Sequence, residues 1–291
     1  MNVRIGINPL TWSNDDLPAL GADIPLETCL SEAAAAGYAG VELGHKFPRQ
    51  AQSLGPILAQ HGLALVSGWY SMRLLERDAE AEFAAMQSHF DLLSALGSKV
   101  MVCAEVTGCV HSDINSCLSG RPQLPKNAFD TLASRLSELA KRMRECGMRL
   151  AYHHHMGTVV QSEAEIDTLM ESCTPEVELL LDTGHLTFAG GDPVRVATRY
   201  ASRIAHVHCK DIRPDVLRRV LNRDTSFLEA VLQGVFTVPG DGSIDYDKVF
   251  VPLRKSNYAG WLVVEAEQDP AIADPVTYAT KGYATLRRLS T

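Results

Sequence analysis

The sequence predicts an α/β protein of the (β/α)8 TIM-barrel class. Three observations predict it: eight apolar β-type runs alternate with helical segments at a roughly equal period, glycines repeatedly close the helices, and the later runs break into His, Asp or Glu where they end. Parallel strands buried on both faces read as continuous apolar runs, and groups at their carboxyl ends converge on one mouth. A doubly wound sheet fits less well, because no G-x-G-x-x-G follows the first run and no Walker A sequence occurs. With 291 residues, one barrel domain over 1–291 is the simplest organisation.

Residues 3–8 form the first strand, closed by Pro9, and 24–36 the first helix, with Pro25 at its start and Gly37 at its end. Strands at 38–43 and 63–69 lead to helices at 49–61 and 79–96, stopped by Gly62 and Gly97. The fourth strand is 99–104; beyond a Pro- and Cys-containing loop, 127–146 shows helical spacing before Gly147. Strands at 148–153, 177–181 and 204–208 alternate with helices at 163–172 and 194–200. The period then slackens over 213–246, an insertion with Phe227-Leu228 and the turn Pro239-Gly240-Asp241-Gly242, long enough to expect a functional lid. A helix at 245–255, capped by Ser243 or Asp245, the eighth strand at 260–264 and a helix at 276–289 complete the chain.

Composition narrows the function. A hydrophobic fraction of 46% supplies a sizeable core, and a formal net charge of -8 argues against a protein that grips a nucleic-acid backbone. A small neutral substrate fits better. The seven cysteines contain no C-x-x-C pair, so neither a disulfide framework nor a cysteine zinc site is indicated. Residues 1–9 lack a signal-peptide pattern and no run approaches ~18 apolar residues, so the expected compartment is the cytoplasm, with no membrane partner.

Chemistry concentrates at the ends of the later runs. Alternate side chains of a strand share a face, so His153 and His155 point one way and His154 the other, although a solvated strand end is the ordinary alternative. Asp182 ends a run of leucines and is followed by Thr-Gly-His, which sends a carboxylate and the His185 imidazole out together; alone, the pattern reads equally as a helix cap with a surface histidine. His206, His208 and Lys210 share one strand face, and buried histidines there need partners. Glu265 closes an apolar run and needs a cation or a hydrogen-bonding partner, whereas Glu267 reads as well as a solvated residue. Glu42 and Glu105 end the second and fourth strands, as binders of substrate hydroxyls or as surface residues. Mixed imidazoles and carboxylates are the ligands of Mn, Co, Zn or Fe, which makes this a metal-dependent enzyme.

The succession of a strand-five ligand, Asp-Thr-Gly-His, His-x-His-x-Lys-Asp and Gly-x-x-x-x-Glu resembles the xylose isomerase-like TIM-barrel superfamily of sugar isomerases, epimerases and dehydratases. Within it, Gly6-Ile7-Asn8-Pro9-Leu10-Thr11-Trp12, His153-His154-His155-Met156-Gly157-Thr158, Phe236-Thr237-Val238-Pro239-Gly240-Asp241-Gly242 and Val264-Glu265-Ala266-Glu267-Gln268-Asp269-Pro270 resemble the inosose dehydratase family of inositol catabolism, along essentially the whole chain. The resemblance implies metal ligands at Asp182, His208 and Glu265, with His153 where the superfamily has a glutamate and His155 as the other claimant. Replacing one of an epimerase's two acid-base glutamates counts against epimerisation.

It further implies loss of water from 2-keto-myo-inositol (scyllo-inosose) to a trihydroxycyclohexane-dione, with Mn or Co as cofactor and glutathione in some members. Acid-base candidates are His155, His185, His206 and Lys210, with Lys210 or His206 favoured as base, His155 as acid, and the lysine pKa lowered by the nearby cation. Arg213, Glu42 and Glu105 are candidates for substrate oxygens. A homo-oligomer is compatible, since dimers and tetramers are common in the superfamily. The competing readings are a sugar isomerase or 3-epimerase on the same barrel, an endonuclease-type phosphodiesterase, which the acidic charge disfavours, and a sugar-binding barrel without activity.

Overall fold

The structure, a computed structural model, describes residues 1–290. Eight parallel strands close into a barrel: β1 (Asn2–Ile7), β2 (Gly40–Leu43), β3 (Ala64–Met72), β4 (Val100–Glu105), β5 (Arg149–His153), β6 (Val177–Asp182), β7 (Ile204–Cys209) and β10 (Ala259–Val264), with β10 between β7 and β1. The predicted class is therefore the observed one. Helices α1 (Leu26–Ala36), α2 (Ala51–Gln60), α3 (Ala79–Ala95), α4 (Lys126–Glu145), α5 (Glu163–Ser172), α7 (Pro193–Tyr200), α10 (Tyr246–Lys255) and α11 (Pro275–Ser290) connect the strands and cover the barrel.

Local sequence explains the elements. In α4, Phe129, Leu132, Ala133, Leu136, Leu139, Ala140 and Met143 are buried at helical spacing against the barrel. Helix α5 begins with a capping box, in which Ser162 and Glu165 each satisfy the other's backbone N–H. Gly37 ends α1 at φ 100, as the glycine stop predicted. Asp245, not Ser243, caps α10. Val100, Val102, Ala151, Leu180 and Ala205 fill the barrel interior as a packed apolar cluster.

Two local features bear on the site. Asp182 runs straight into a short helix, α6 (Thr183–Phe188), and caps it with one carboxylate oxygen, as the cap reading of Asp-Thr-Gly-His has it. The insertion is no free lid: β8 (Asp211–Ile212) pairs antiparallel with β9 (Phe236–Thr237), and α8 (Pro214–Arg223) and α9 (Phe227–Leu232) pack with them around Val220, Phe227, Val231 and Phe236. This cover has its own apolar centre, because its helices carry apolar faces that no barrel strand buries.

Candidate active site

A cavity of ≈ 220 Å³ opens at the carboxyl ends of the strands, lined among others by Glu42, His153, His155, His208, Glu265 and Glu267. The register sets its floor: Asp182 of β6 lies opposite His208 of β7, and His208 opposite Val263 of β10, one step before the strand end that carries Glu265.

His153, Asp182, His208 and Glu265 are all buried, and each offers a ligand atom within 4.8 Å of the others. The hydrogen bonds around them leave lone pairs pointing inward. His153 Nδ1 donates to the His154 carbonyl (2.8 Å), so Nε2 is bare, and it faces Asp182 Oδ2 at 3.6 Å. His208 Nε2 donates to Glu42 Oε1 (3.3 Å), which leaves Nδ1 at 2.9 Å from Glu265 Oε2 and 3.5 Å from Asp182 Oδ2. Neither Asp182 Oδ2 nor His208 Nδ1 has a hydrogen-bond partner of acceptable geometry. Converging acceptors in a buried place need a cation or a shared proton between them, and ligating histidines characteristically give their other N–H to a carbonyl or carboxylate. Burial disfavours the charged His208 imidazole, yet Glu265 and Glu42 outweigh it and raise its pKa; a metal ion answers the same field. The donor set thus fits a divalent cation. Asp182 satisfies both sequence expectations at once, since Oδ1 accepts from His185 N–H (2.7 Å) while Oδ2 stays free.

Behind the quartet lies a second layer. Asn8 Nδ2 donates to Glu42 Oε2 (2.8 Å) and Glu265 Oε2 (2.9 Å), and His206 Nε2 to Glu42 Oε1 (2.8 Å). Despite burial, His208 and His206 hold the Glu42 pKa down to about 2. His206 does not line the cavity: it sits one pleat deeper than His208, roughly 7 Å along the strand, and positions Glu42 where a base on substrate was expected.

Lys210 is also corrected. Its Nζ lies 2.6 Å from Glu265 Oε1, 2.6 Å from Glu267 Oε1 and 3.0 Å from His185 Nε2, which occupies all three N–H groups. Burial pulls its pKa down, but Glu265 and Glu267 outweigh that and raise it, so Lys210 is a fixed cation, opposite to the lowered base expected. Gly184 makes room for it, since a Cβ there would stand 2.5 Å from Lys210 Cγ. His185 is buried under Phe227 and Phe236; its Nε2 accepts from Lys210, its Nδ1 lies 3.3 Å from Met156 N, and the ring does not reach the cavity.

His155 does reach it. Nδ1 donates to the Met156 carbonyl (2.8 Å), leaving Nε2 as an acceptor, and burial, then His111 and Lys210, push its pKa well below the ordinary value. That keeps the ring neutral with a free lone pair, whereas the acid role expected from sequence needs it protonated. Glu267, open to either reading from sequence, is buried in the cavity wall, where burial and Glu265 push its pKa up to about 7 against the pull of Lys210.

Of the residues expected at substrate oxygens, Glu42 lines the cavity and two do not. Arg213 clamps the insertion, donating to the Gly234 and Phe236 carbonyls (2.8 and 2.9 Å), Thr237 Oγ1 and Asp241 Oδ2. Glu105 accepts the backbone N–H groups of Leu74 (2.6 Å) and Thr107 (3.0 Å) and organises a loop. Sequence reasoning missed Asn14 and His111, which line the cavity from loops without periodic signal, and Trp69, which lines it from within β3. The Met156-Gly157 turn brings His111 in: Val110 N–H donates to the Gly157 carbonyl (3.0 Å), and Gly157, at φ +79, has no room for a Cβ beside the His111 backbone.

A closed parallel barrel with imidazoles and carboxylates converging at its rim defines the class: a TIM-barrel protein with a candidate divalent-metal centre. Residues 30–289 match the family described as Xylose isomerase-like TIM barrel, and the chain belongs to that family. Rhizopine catabolism protein MocC of Rhizobium meliloti is 51% identical over 290 residues, 100% of this chain and 89% of that protein. Inosose dehydratase of Geobacillus thermodenitrificans is 44% identical over 287 residues, 98% of this chain and 96% of that one. Among solved structures, the probable 3-DHS dehydratase AsbF of Bacillus anthracis superposes with a TM-score of 0.71 at 14% identity, covering 98% of this chain and 99% of that chain. IolI protein with a binding zinc atom superposes at 0.69 and 15% identity, covering 99% and 96%. The last two share the fold.

Proposed function

We propose that the protein is an inosose dehydratase, a carbon-oxygen lyase that converts 2-keto-myo-inositol (scyllo-inosose) to a trihydroxycyclohexane-1,2-dione. The observation that carries this is the 44% identity, along 98% of the chain, to a protein of that name. The site accords with it. His153, Asp182, His208 and Glu265 would hold a divalent ion, for which we favour Mn or Co over Zn or Fe. When bound, such an ion supplies Lewis-acid polarisation of the substrate carbonyl, which acidifies the neighbouring C–H. The bare Nε2 of His155 takes that proton, and Glu267, oriented by Lys210, hands one to the departing hydroxyl. Glu42, His206 and Asn8 keep His208 and Glu265 in place.

The substrate is a small uncharged polyol ketone, and the setting is the cytoplasm, without nucleic-acid or membrane partners, as a homo-oligomer; among the described residues no helix is long and apolar enough to cross a membrane. Glutathione is the accessory cofactor to test, since the resemblance implies it for some members. The test is incubation with scyllo-inosose in deuterated water, with and without glutathione. Growth of diketone absorbance supports the dehydratase; deuterium washed into substrate without diketone indicates a 3-epimerase instead. The 51% identity to MocC favours a second setting, rhizopine catabolism, read by whether the purified enzyme also turns over a rhizopine.

A further inference from the structure

The first strand's exit loop contains a side chain that no part of the proposed reaction uses. Asn14 is 1% exposed and lines the same cavity as His153, His208 and Glu265. Its Oδ1 accepts the backbone N–H groups of Asp16 (2.9 Å) and Leu17 (2.8 Å). Only an amide oxygen can accept both, so the amide orientation is fixed and Nδ2 is the end left over. Nδ2 is buried and has no hydrogen-bond partner among the described residues. A buried donor held in one orientation and left unpaired is costly unless something in the cavity accepts from it.

The wall around it limits what that acceptor is. Asp15, Asp16, Glu42, Glu265 and Glu267 contribute carboxylates to the lining, and no lysine or arginine joins them. A metal ion on the quartet offsets part of that charge at the floor, whereas an anionic group near Asn14 would meet Asp15 and Asp16. We propose that Asn14 is a substrate-binding residue that sets specificity, its Nδ2 donating to a hydroxyl or ketone oxygen of an uncharged polyol ring. The inference deepens the dehydratase reading and rests on it only for the identity of the polyol.

Asn14→Asp keeps the oxygen that organises the loop and replaces the donor; Asn14→Ser shortens the side chain and withdraws the amide N–H from the cavity without adding charge. In metal-loaded enzyme both variants should raise KM for scyllo-inosose by ~10-fold or more with kcat little changed, at wild-type metal content and Tm. Unchanged KM in both variants overturns the proposal. If wild type does not turn over inosose, the dehydratase reading falls by itself, and calorimetric titration with myo-inositol decides Asn14. Binding weakened ~10-fold by Asn14→Ser upholds it; equal binding by both proteins, or none by wild type, overturns it. A myo-inositol phosphate should bind wild type more weakly than myo-inositol, and tighter binding contradicts the uncharged ligand class.

Discussion

Asp182 serves two purposes with two oxygens, and one substitution separates them. In Asp182→Asn the amide oxygen still caps α6, because Asn and Asp are equivalent at that position, but the second oxygen becomes a donor aimed at His153 and His208. Metal content measured by mass spectrometry should fall to background and turnover by more than ~100-fold, while the melting temperature stays close to wild type. A variant that keeps its metal would remove Asp182 from the quartet. At this scale the sequence was partly legible. The ends of the apolar runs marked the stretches that hold His153, Asp182, His208 and Glu265, because an unpaired polar group is hard to bury there, and the family resemblance singled out these four. Lys210, His206 and His185 are polar residues on or just beyond the same strands, yet sharing a face says nothing about depth, and none of them lines the cavity. Asn14 and His111 stand in loops, where no period betrays direction.

Elements show the same division between pattern and context. Apolar periodicity placed every barrel strand and its covering helices, with ends displaced by a few residues where caps and pairing decide them. It could not foresee that the insertion folds around Phe227 and Phe236, since short helices and two-residue strands carry too few positions to show a period. Arg213 was misread for a related reason: a cation near an active strand end resembles a substrate ligand until its five acceptors appear. Arg213→Ala should therefore lower unfolding free energy by about 1–3 kcal/mol in denaturant titration without loss of bound metal. A large rise in KM at unchanged stability would restore the substrate-binding role. The capping box of α5 gives a pH test. Burial works against the Glu165 charge, but the Ser162 and Gln161 N–H groups and Arg121 outweigh it and lower its pKa. A carboxylate lowered in the folded state stabilises above its unfolded pKa and ceases to do so as pH falls through the folded value. The stability gap between wild type and Glu165→Gln should thus be full at neutral pH and close in acid; a gap that widens in acid contradicts the assignment.

For the molecule as a whole, the barrel converts sequence separation into proximity: groups from position 8 to position 267 meet in one cavity because parallel strands all deliver their carboxyl ends to the same rim. Closure of the sheet also places an apolar cluster and the ionic groups in one interior, and the insertion seals the ionic end with Phe227 and Phe236 over His185. Fold and family were legible from the chain; the layering of the charges was not, because it depends on how far down each strand a side chain enters. Dehydration as proposed requires one divalent ion on His153, Asp182, His208 and Glu265. The most direct measurement of that requirement is a chelator titration of the purified protein, following bound metal and scyllo-inosose turnover in the same samples. Both should fall together and return on adding Mn or Co; full turnover in protein stripped of metal would contradict the account.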